Sequence, residues 1–238
     1  LARQIQKTFL PDHIPEIKGW DLQTVWETAL QVGGDFYDII PISSSIIALV
    51  VADVADKGLA ASLYMTVSRT LIRAFSQTMS DPGSVFKSVN NLLNMDAPGG
   101  LFVTAILAFL NIETGKIIYA NAGHNLPLLY QAKTDDLMTI PRGDMALGVV
   151  KDNIYHNQEL QMEPEDILIL YTDGLTETFS EEGEIFGTDR LRQMVFNCSK
   201  DHLSDLMKYF EEQISAFREN GPPSDDLTIV SLKRLKRD

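Results

Sequence analysis

Apolar and polar positions along the chain fall into blocks whose period changes several times. Ser45 to Ala52 reads SIIALVVA, a continuous β-branched and apolar run suited to a strand buried on both faces, and it runs directly into Asp53. Leu101 to Ile112 and Lys116 to Asn121 flank Glu113, Thr114 and Gly115, a pattern that predicts an antiparallel hairpin. Asp166 to Tyr171 predicts a further strand ending in Thr172 and Asp173, and Leu227 to Leu232 predicts one preceded by Asp225 and Asp226. Helical spacing appears between these runs. Leu63, Val67, Leu71 and Phe75 recur every four residues through Ala60 to Met79, and Asp81 with Pro82 makes an N-cap and first turn for a helix carrying Val85, Val89, Leu92 and Leu93. Leu203 to Phe217 carries a third stripe, closed by Asn220, Gly221, Pro222 and Pro223. Leu1, Ile5 and Phe9 form a short stripe that stops at Pro11, read either as the end of a coiled-coil linker or as a docked terminal helix. Strands come in runs and helices in adjacent pairs, which is not the strict alternation of a doubly wound parallel fold. The expectation is α+β: residues 1–10 as the end of a linker or dimerisation helix, then one domain over 11–238 with antiparallel sheets packed on helices.

Composition narrows the partners. The chain has 238 residues, 45% of them hydrophobic, enough for a sizeable core. Twenty basic against 33 acidic residues leave a formal charge of −13, which argues against nucleic acid or an anionic membrane surface, since both require clustered Lys and Arg. The single Cys198 excludes an internal disulfide and a Cys-rich zinc site and points to a reducing, cytoplasmic compartment. The longest apolar run, Ile46 to Ala52, falls far short of the ~20 residues of a membrane span, and no signal peptide is present. The chain begins without Met, in what reads as a helix, so it is expected to be a domain of a longer protein.

The acids that matter lie beside strands. Asp35 and Asp38 lie in VGGDFYD, Asp53 and Asp173 end apolar runs, and Asp225 and Asp226 begin another. Neighbouring strands are ~4.8 Å apart, so strand ends can converge on one point. Clustered carboxylates repel and raise one another's pKa values unless a cation intervenes. Mg²⁺ or Mn²⁺ takes oxygen ligands, and two such ions ~3.5 to 4 Å apart clamp a phosphoryl group and supply activated water. Gly33, Gly34 and Gly174 permit close backbone approach beside these acids. A single Asp at a strand end is more often a turn former or helix cap. Four coincident cases leave a two-metal phosphohydrolase and a set of unrelated turns both open.

The segments VGGDFYD (Val32 to Asp38), VADVADKGLAAS (Val51 to Ser62), FVTAILAFLNIETGKIIYANAGHNLPLL (Phe102 to Leu129), LYTDGLTET (Leu170 to Thr178) and SDDLTIVSL (Ser224 to Leu232) occur in order over nearly the whole chain. Together they resemble the bacterial metal-dependent serine/threonine protein phosphatases of the PPM type, and more narrowly the RsbU/SpoIIE subgroup of partner-switching sigma-factor control. The resemblance implies an αββα sandwich of two antiparallel sheets flanked by helix pairs, with two Mn²⁺ or Mg²⁺ ions. It implies that Asp53 bridges both ions with the Val54 carbonyl on one of them, that Asp173 and Asp225 ligate the other, and that Asp35 completes the cluster directly or through water. Asp38 and Asp226 are implied to orient metal-bound waters. The implied reaction is hydrolysis of phosphoserine or phosphothreonine by attack of a metal-bridging water, so that Asp53 and Asp173 act through that water. The implied substrate is a phosphorylated STAS-type anti-anti-sigma factor, with homodimerisation through the N-terminal helix. Because no phosphoenzyme is needed, Ser62, Thr172 and Cys198 are assigned no nucleophilic role.

Two departures stand out. Asp56 replaces the usual Gly before Lys57 and Gly58, adding a carboxylate near Asp53. Val54 and Ala55 stand where animal and plant relatives have Gly and His, and no N-terminal phosphate-binding Arg is found, which leaves Lys57 as a candidate for phosphate capture. His124 in NAGHNLP reads as a turn-stabilising side chain ahead of a general acid. Trp20 and Trp26 read as packing. The GGDF string resembles the signature of diguanylate cyclases, but the TDG and SDD segments have no place there. The alternative from another class is a catalytically silent module of the same fold that only binds its partner.

Overall fold

The computed structural model describes residues 1–96, 100–141, 143–198, 202–219, 221 and 223–236. The chain forms two compact units, each a five-stranded antiparallel sheet with its own helices, numbered here along the chain.

One unit comprises Leu1–Pro15, Leu30–His124 and Pro141–Gln161. It contains α1 (Ala2–Phe9), β2 (Phe36–Pro41), β3 (Ile46–Val54), α2 (Leu59–Ser76), α3 (Pro82–Asp96), β4 (Val103–Asn111), β5 (Lys116–Ala122) and β8 (Gln158–Gln161), with strand order β2-β3-β4-β5-β8. β3 is an interior strand between β2 and β4, and the side chains from Ala48 to Ala52 are fully buried on both faces, as the unbroken apolar run requires. Each Val or Leu buried there contributes about 1.5–3 kcal/mol relative to exposure. The hairpin expected between 101 and 121 forms as β4 and β5, with the Asn111 side chain accepting the N–H groups of Glu113 and Thr114 and Gly115 at φ 80°. α3 buries Val85, Phe86, Val89 and Leu93.

α2 forms where its apolar spacing predicts, but the predictive stripe is not the face it buries. Ala61, Met65, Ser68 and Ile72 are buried, whereas Leu63 and Val67 are exposed. The short side chains on the buried face let the helix approach β2 and β3 closely, which a leucine stripe would prevent. α1 differs in the same sense. Its only buried residue is Gln6, whose amide donates to the Gly33 carbonyl at 2.6 Å and accepts the Gly33 N–H at 3.1 Å, while Leu1 and Ile5 are exposed. The terminal helix is therefore docked on its own unit through a polar clasp, and its apolar stripe is left outside.

The other unit comprises Glu16–Ala29, Asn125–Ile140 and Met162–Asp238. It contains β1 (Trp20–Glu27), β6 (Leu128–Gln131), β7 (Asp136–Thr139), β9 (Ile167–Tyr171), α4 (Asp173–Thr176), α5 (Gly187–Cys198), α6 (Leu203–Phe217) and β10 (Leu227–Arg234), ordered β1-β10-β9-β6-β7. α6 spans the expected residues and buries Leu203, Leu206, Met207, Phe210 and Ile214 against Ile167, Ile169 and Ile229 of the sheet. Of its expected closing residues, Asn220 and Pro222 lie outside the described set. Among the described residues, no helix is long and apolar enough to cross a membrane.

Candidate functional site

The expected metal ligands divide between the units, and each unit assembles its share locally. In the first, Phe36 pairs with Ala52, so the next step of the antiparallel register sets Asp35 across from Asp53. Asp35 is 1% exposed and Asp53 is half-buried. Gly34 packs on the next residue of β3. A Cβ at Gly34 would lie 2.9 Å from the Val54 carbonyl oxygen and 3.2 Å from the Val54 Cβ, so only glycine admits this approach. Asp35, Asp53 and the Val54 carbonyl therefore share one strand corner.

In the second unit, the Thr172 N–H donates to the Thr228 carbonyl at 3.0 Å, and the Thr228 N–H donates to Thr172 Oγ1 at 2.9 Å. This joins the end of β9 to the start of β10 and carries Asp173, the first residue of α4, to the 225–227 segment. Gly174 lies against the Asp226 backbone carbonyl so closely that any side chain there would overlap it. The carboxylate of Asp226, 7% exposed, accepts the Ala29 N–H at 2.8 Å, while Asp225 accepts the Asp226 N–H at 2.9 Å and remains half-buried. Asp226 is thus a turn-fixing group and Asp225 the more open carboxylate.

Every donor in these two corners is a carboxylate or carbonyl oxygen, which suits a hard divalent cation such as Mg²⁺ or Mn²⁺ and offers nothing to a soft one. Among the described residues, no three His, Cys, Asp or Glu side chains gather closely enough to hold an ion within either unit. Each unit carries its own pair of carboxylates, Asp35 with Asp53 and Asp173 with Asp225.

Asp38 does not fit the expected role of orienting metal-bound water. It lies three residues from Asp35 and so faces the opposite side of the strand, toward α2. Its carboxylate is 1% exposed and takes Arg73 Nη1 at 2.7 and 2.9 Å, Arg69 Nη2 at 3.0 Å and the Ile39 N–H at 2.9 Å. These partners make it a tie between β2 and α2. Burial lowers the pKa of Arg69, and the neighbouring Asp38 carboxylate opposes that shift. The spacing of VGGDFYD contained this signal, since an odd separation along a strand reverses the face.

His124 takes the structural reading. It is buried, its N–H donates to Asn121 Oδ1 at 2.7 Å, its carbonyl accepts Asn121 Nδ2 at 3.1 Å, and its Nδ1 lies 2.9 Å from Thr104 Oγ1. Asp56 is exposed at φ 81°, the left-handed backbone that favours glycine, and its carboxylate accepts the Lys57 N–H at 2.8 Å. Lys57 is exposed on the same loop. The Ser62 hydroxyl donates to the Leu59 carbonyl within the first turn of α2, and Thr172 is the ladder acceptor described above, so neither is arranged as a nucleophile.

Two antiparallel sheets with their helices, carrying aspartates at paired strand ends, constitute the fold of PP2C-type phosphatase domains. The chain aligns with the SiaA-PP2C domain of Pseudomonas aeruginosa over 98% of its own length and 94% of that domain, with a TM-score of 0.81 and 23% identity. Residues 43–235 match the family model described as Stage II sporulation protein E (SpoIIE), and the chain belongs to that family. Among curated relatives, it is 27% identical to Protein IcfG of Synechocystis sp. over 98% of this chain, and 25% identical to the phosphoserine phosphatase RsbU of Bacillus subtilis, also over 98% of this chain. It spans 41% of the length of IcfG and 69% of RsbU.

Proposed function

We propose that this chain is a metal-dependent protein phosphatase that hydrolyses phosphoserine or phosphothreonine on a regulatory protein, with a phosphorylated STAS-type anti-anti-sigma factor as its substrate. The observation that carries this reading is the repeated corner: in each unit a glycine brings the backbone against a carbonyl next to an aspartate, so that Asp35 and Asp53 with the Val54 carbonyl, and Asp173 with Asp225, are presented as oxygen donors. The relatives named phosphoserine phosphatase RsbU and RsbP support the reaction class. These donors would hold two Mn²⁺ or Mg²⁺ ions. When bound, the ions supply the Lewis acidity that activates water and neutralises the phosphoryl oxygens. The chain's own part is to fix the carboxylates before substrate arrives, Asp35 by burial and register and Asp225 by the turn in which Asp226 holds the Ala29 N–H. No side chain of this chain is asked to form a covalent bond to phosphorus.

The exposed Ile5 of α1 and Leu1 at its N-cap support homodimerisation through the N-terminal helix, with Gln6 linking that helix to the Gly33 backbone two residues before Asp35. Light scattering of the chain is expected to give a dimer, and a strict monomer would refute that part of the reading.

The function is tested by Mn²⁺-dependent hydrolysis of p-nitrophenyl phosphate and of a phosphorylated STAS protein. Asp53→Asn and Asp173→Asn are each expected to lower kcat by at least about a thousandfold, because each removes an anionic ligand from the donor set. Unchanged activity in either variant would sink the assignment. Binding of the phosphorylated partner without hydrolysis would favour the silent module.

A further inference from the structure

Arg218, at the C-terminal cap of α6, is engaged in a way that fold stability does not explain. Its Nη2 lies 3.2 and 3.1 Å from the two carboxylate oxygens of Glu27, while its Nε and Nη1 are buried without a hydrogen-bond partner. Buried guanidinium N–H groups left unpaired are costly, and a well-packed apolar pair at such a place is often as stable or more so. The surroundings do not replace the ion pair by close packing. A cavity of about 560 Å³ opens beside it, lined by Trp26, Glu27, Glu211, Ile214, Ser215 and Arg218.

The pair sits at the root of the second carboxylate corner. Glu27 is the last residue of β1 and pairs with Leu227, the first residue of β10. Two residues beyond Glu27, the Ala29 N–H holds Asp226 Oδ1 at 2.8 Å, and the Asp226 N–H holds Asp225 Oδ1 at 2.9 Å. Gly174, next to Asp173, rests on the carbonyl of the same Asp226. The 27–29 segment is therefore the support on which the Asp225 carboxylate is aimed, and Arg218 anchors its outer end to α6.

We propose that Arg218 is a positioning residue for the Asp225–Asp226 pair, acting through Glu27. The inference rests on the reading of Asp225 as a metal ligand. It predicts that the ion pair is felt in cation affinity rather than only in folding, since residues that orient ligands typically change metal affinity or activity 10- to 100-fold.

The test is calorimetric titration of the whole chain with Mn²⁺, alongside p-nitrophenyl phosphate kinetics and thermal melting. Arg218→Gln is expected to weaken Mn²⁺ binding about tenfold at temperatures where the variant is folded. Because a single nitrogen, Nη2, meets both Glu27 oxygens, Arg218→Lys, which keeps the charge, is expected to recover to within about threefold of the wild type. Glu27→Gln should match Arg218→Gln, and the double variant should be no worse than either single one. A merely structural role would lower the melting temperature and leave the Mn²⁺ dissociation constant unchanged, and that result overturns the proposal, as does an additive loss in the double variant. Should Arg218→Gln fail to fold, the lysine and Glu27→Gln variants decide by the same criteria. A wild-type chain that binds no Mn²⁺ removes the metal reading and this inference together, whereas wild-type affinity in Arg218→Gln removes this inference alone.

Discussion

Asp35 immediately precedes β2 and Asp53 lies within the neighbouring β3, whereas Asp173 opens α4 just beyond β9 and Asp225 and Asp226 sit on the turn just before β10. Both corners use a glycine to bring a backbone carbonyl next to a carboxylate, Gly34 against Val54 and Gly174 against Asp226. The means of fixing the acids differ. In the strand corner the ladder sets position, and a one-residue slip would turn every side chain over, so the acids are held by the same interactions that hold the core. In the turn corner, single hydrogen bonds decide the geometry: Asp226 to Ala29, Asp225 to Asp226, Thr172 to Thr228. The strand corner is thus positioned by many ladder contacts, and the turn corner by a few hydrogen bonds and one close backbone contact.

The glycines separate the two corners most sharply. At Gly174 an added Cβ meets the Asp226 carbonyl of the adjoining turn, and both partners belong to the β9–β10 junction, so neither can withdraw. Gly174→Ala is expected to cost the folded state outright, read as loss of a cooperative melt. At Gly34 the Cβ would lie 2.9 Å from the Val54 carbonyl oxygen, a backbone contact that forces β3 to shift, and 3.3 Å from the Ala61 Cβ, so the overlap is smaller than at Gly174. Gly34→Ala is expected to fold and to bind Mn²⁺ about tenfold more weakly. A Gly174→Ala melt within about 2 °C of the wild type would break the comparison.

Two buried aspartates sharpen it further. Asp38 answers two arginines, one of them half-exposed, so Asp38→Ala leaves buried positive charge uncompensated and is expected to destabilise by about 3 kcal/mol. Asp226 accepts the neutral Ala29 N–H, so Asp226→Ala should cost about 1–2 kcal/mol. Urea midpoints at a constant slope measure both. Equal losses would mean that the tie between β2 and α2 is no more deeply rooted than the turn corner.

The parts legible in the sequence are those in which one local pattern decides the outcome. The apolar run of β3, the Asn111 to Gly115 turn and the α6 stripe each state their structure directly. β2 was obscured because VGGDFYD reads as a glycine turn with acids, although its Phe36, Tyr37, Ile39 and Ile40 are buried. β1, which carries Trp20 and Trp26, has one polar face and no sharp stops. The acids of the candidate site were legible by position and family motif, but their duties were not. Asp38 differs from Asp35 through strand parity and through Arg69 and Arg73, which lie more than 30 residues away. The outward stripe of α2 shows the same limit. Periodicity announces a helix, but which face it buries depends on how closely the sheet lets it approach, and here Ala61 and Ser68 admit what Leu63 and Val67 do not.

Asp81 offers a control in which an aspartate of the first unit is fixed by a turn and by no charge. As expected of an N-cap, its carboxylate accepts the Ser84 N–H at 2.9 Å and the Ser84 hydroxyl at 2.8 Å, and Asn157 Nδ2 donates to it at 2.7 Å. Burial pushes the Asp81 carboxyl up, but the hydrogen bonds from Asn157, Ser84 and Gly83 together outweigh it and hold the group below the ordinary carboxylate value. A carboxyl whose folded value is depressed contributes stability in full above its unfolded value and loses it as pH falls through the lower folded one. Asp81→Ala is therefore expected to cost about 1 kcal/mol at neutral pH, unchanged between about pH 5 and 8, with the difference from the wild type narrowing only below about pH 4. A difference that already narrows between pH 8 and 6 would show that the cap acts through something other than this carboxylate, because neither its folded nor its unfolded form titrates in that range.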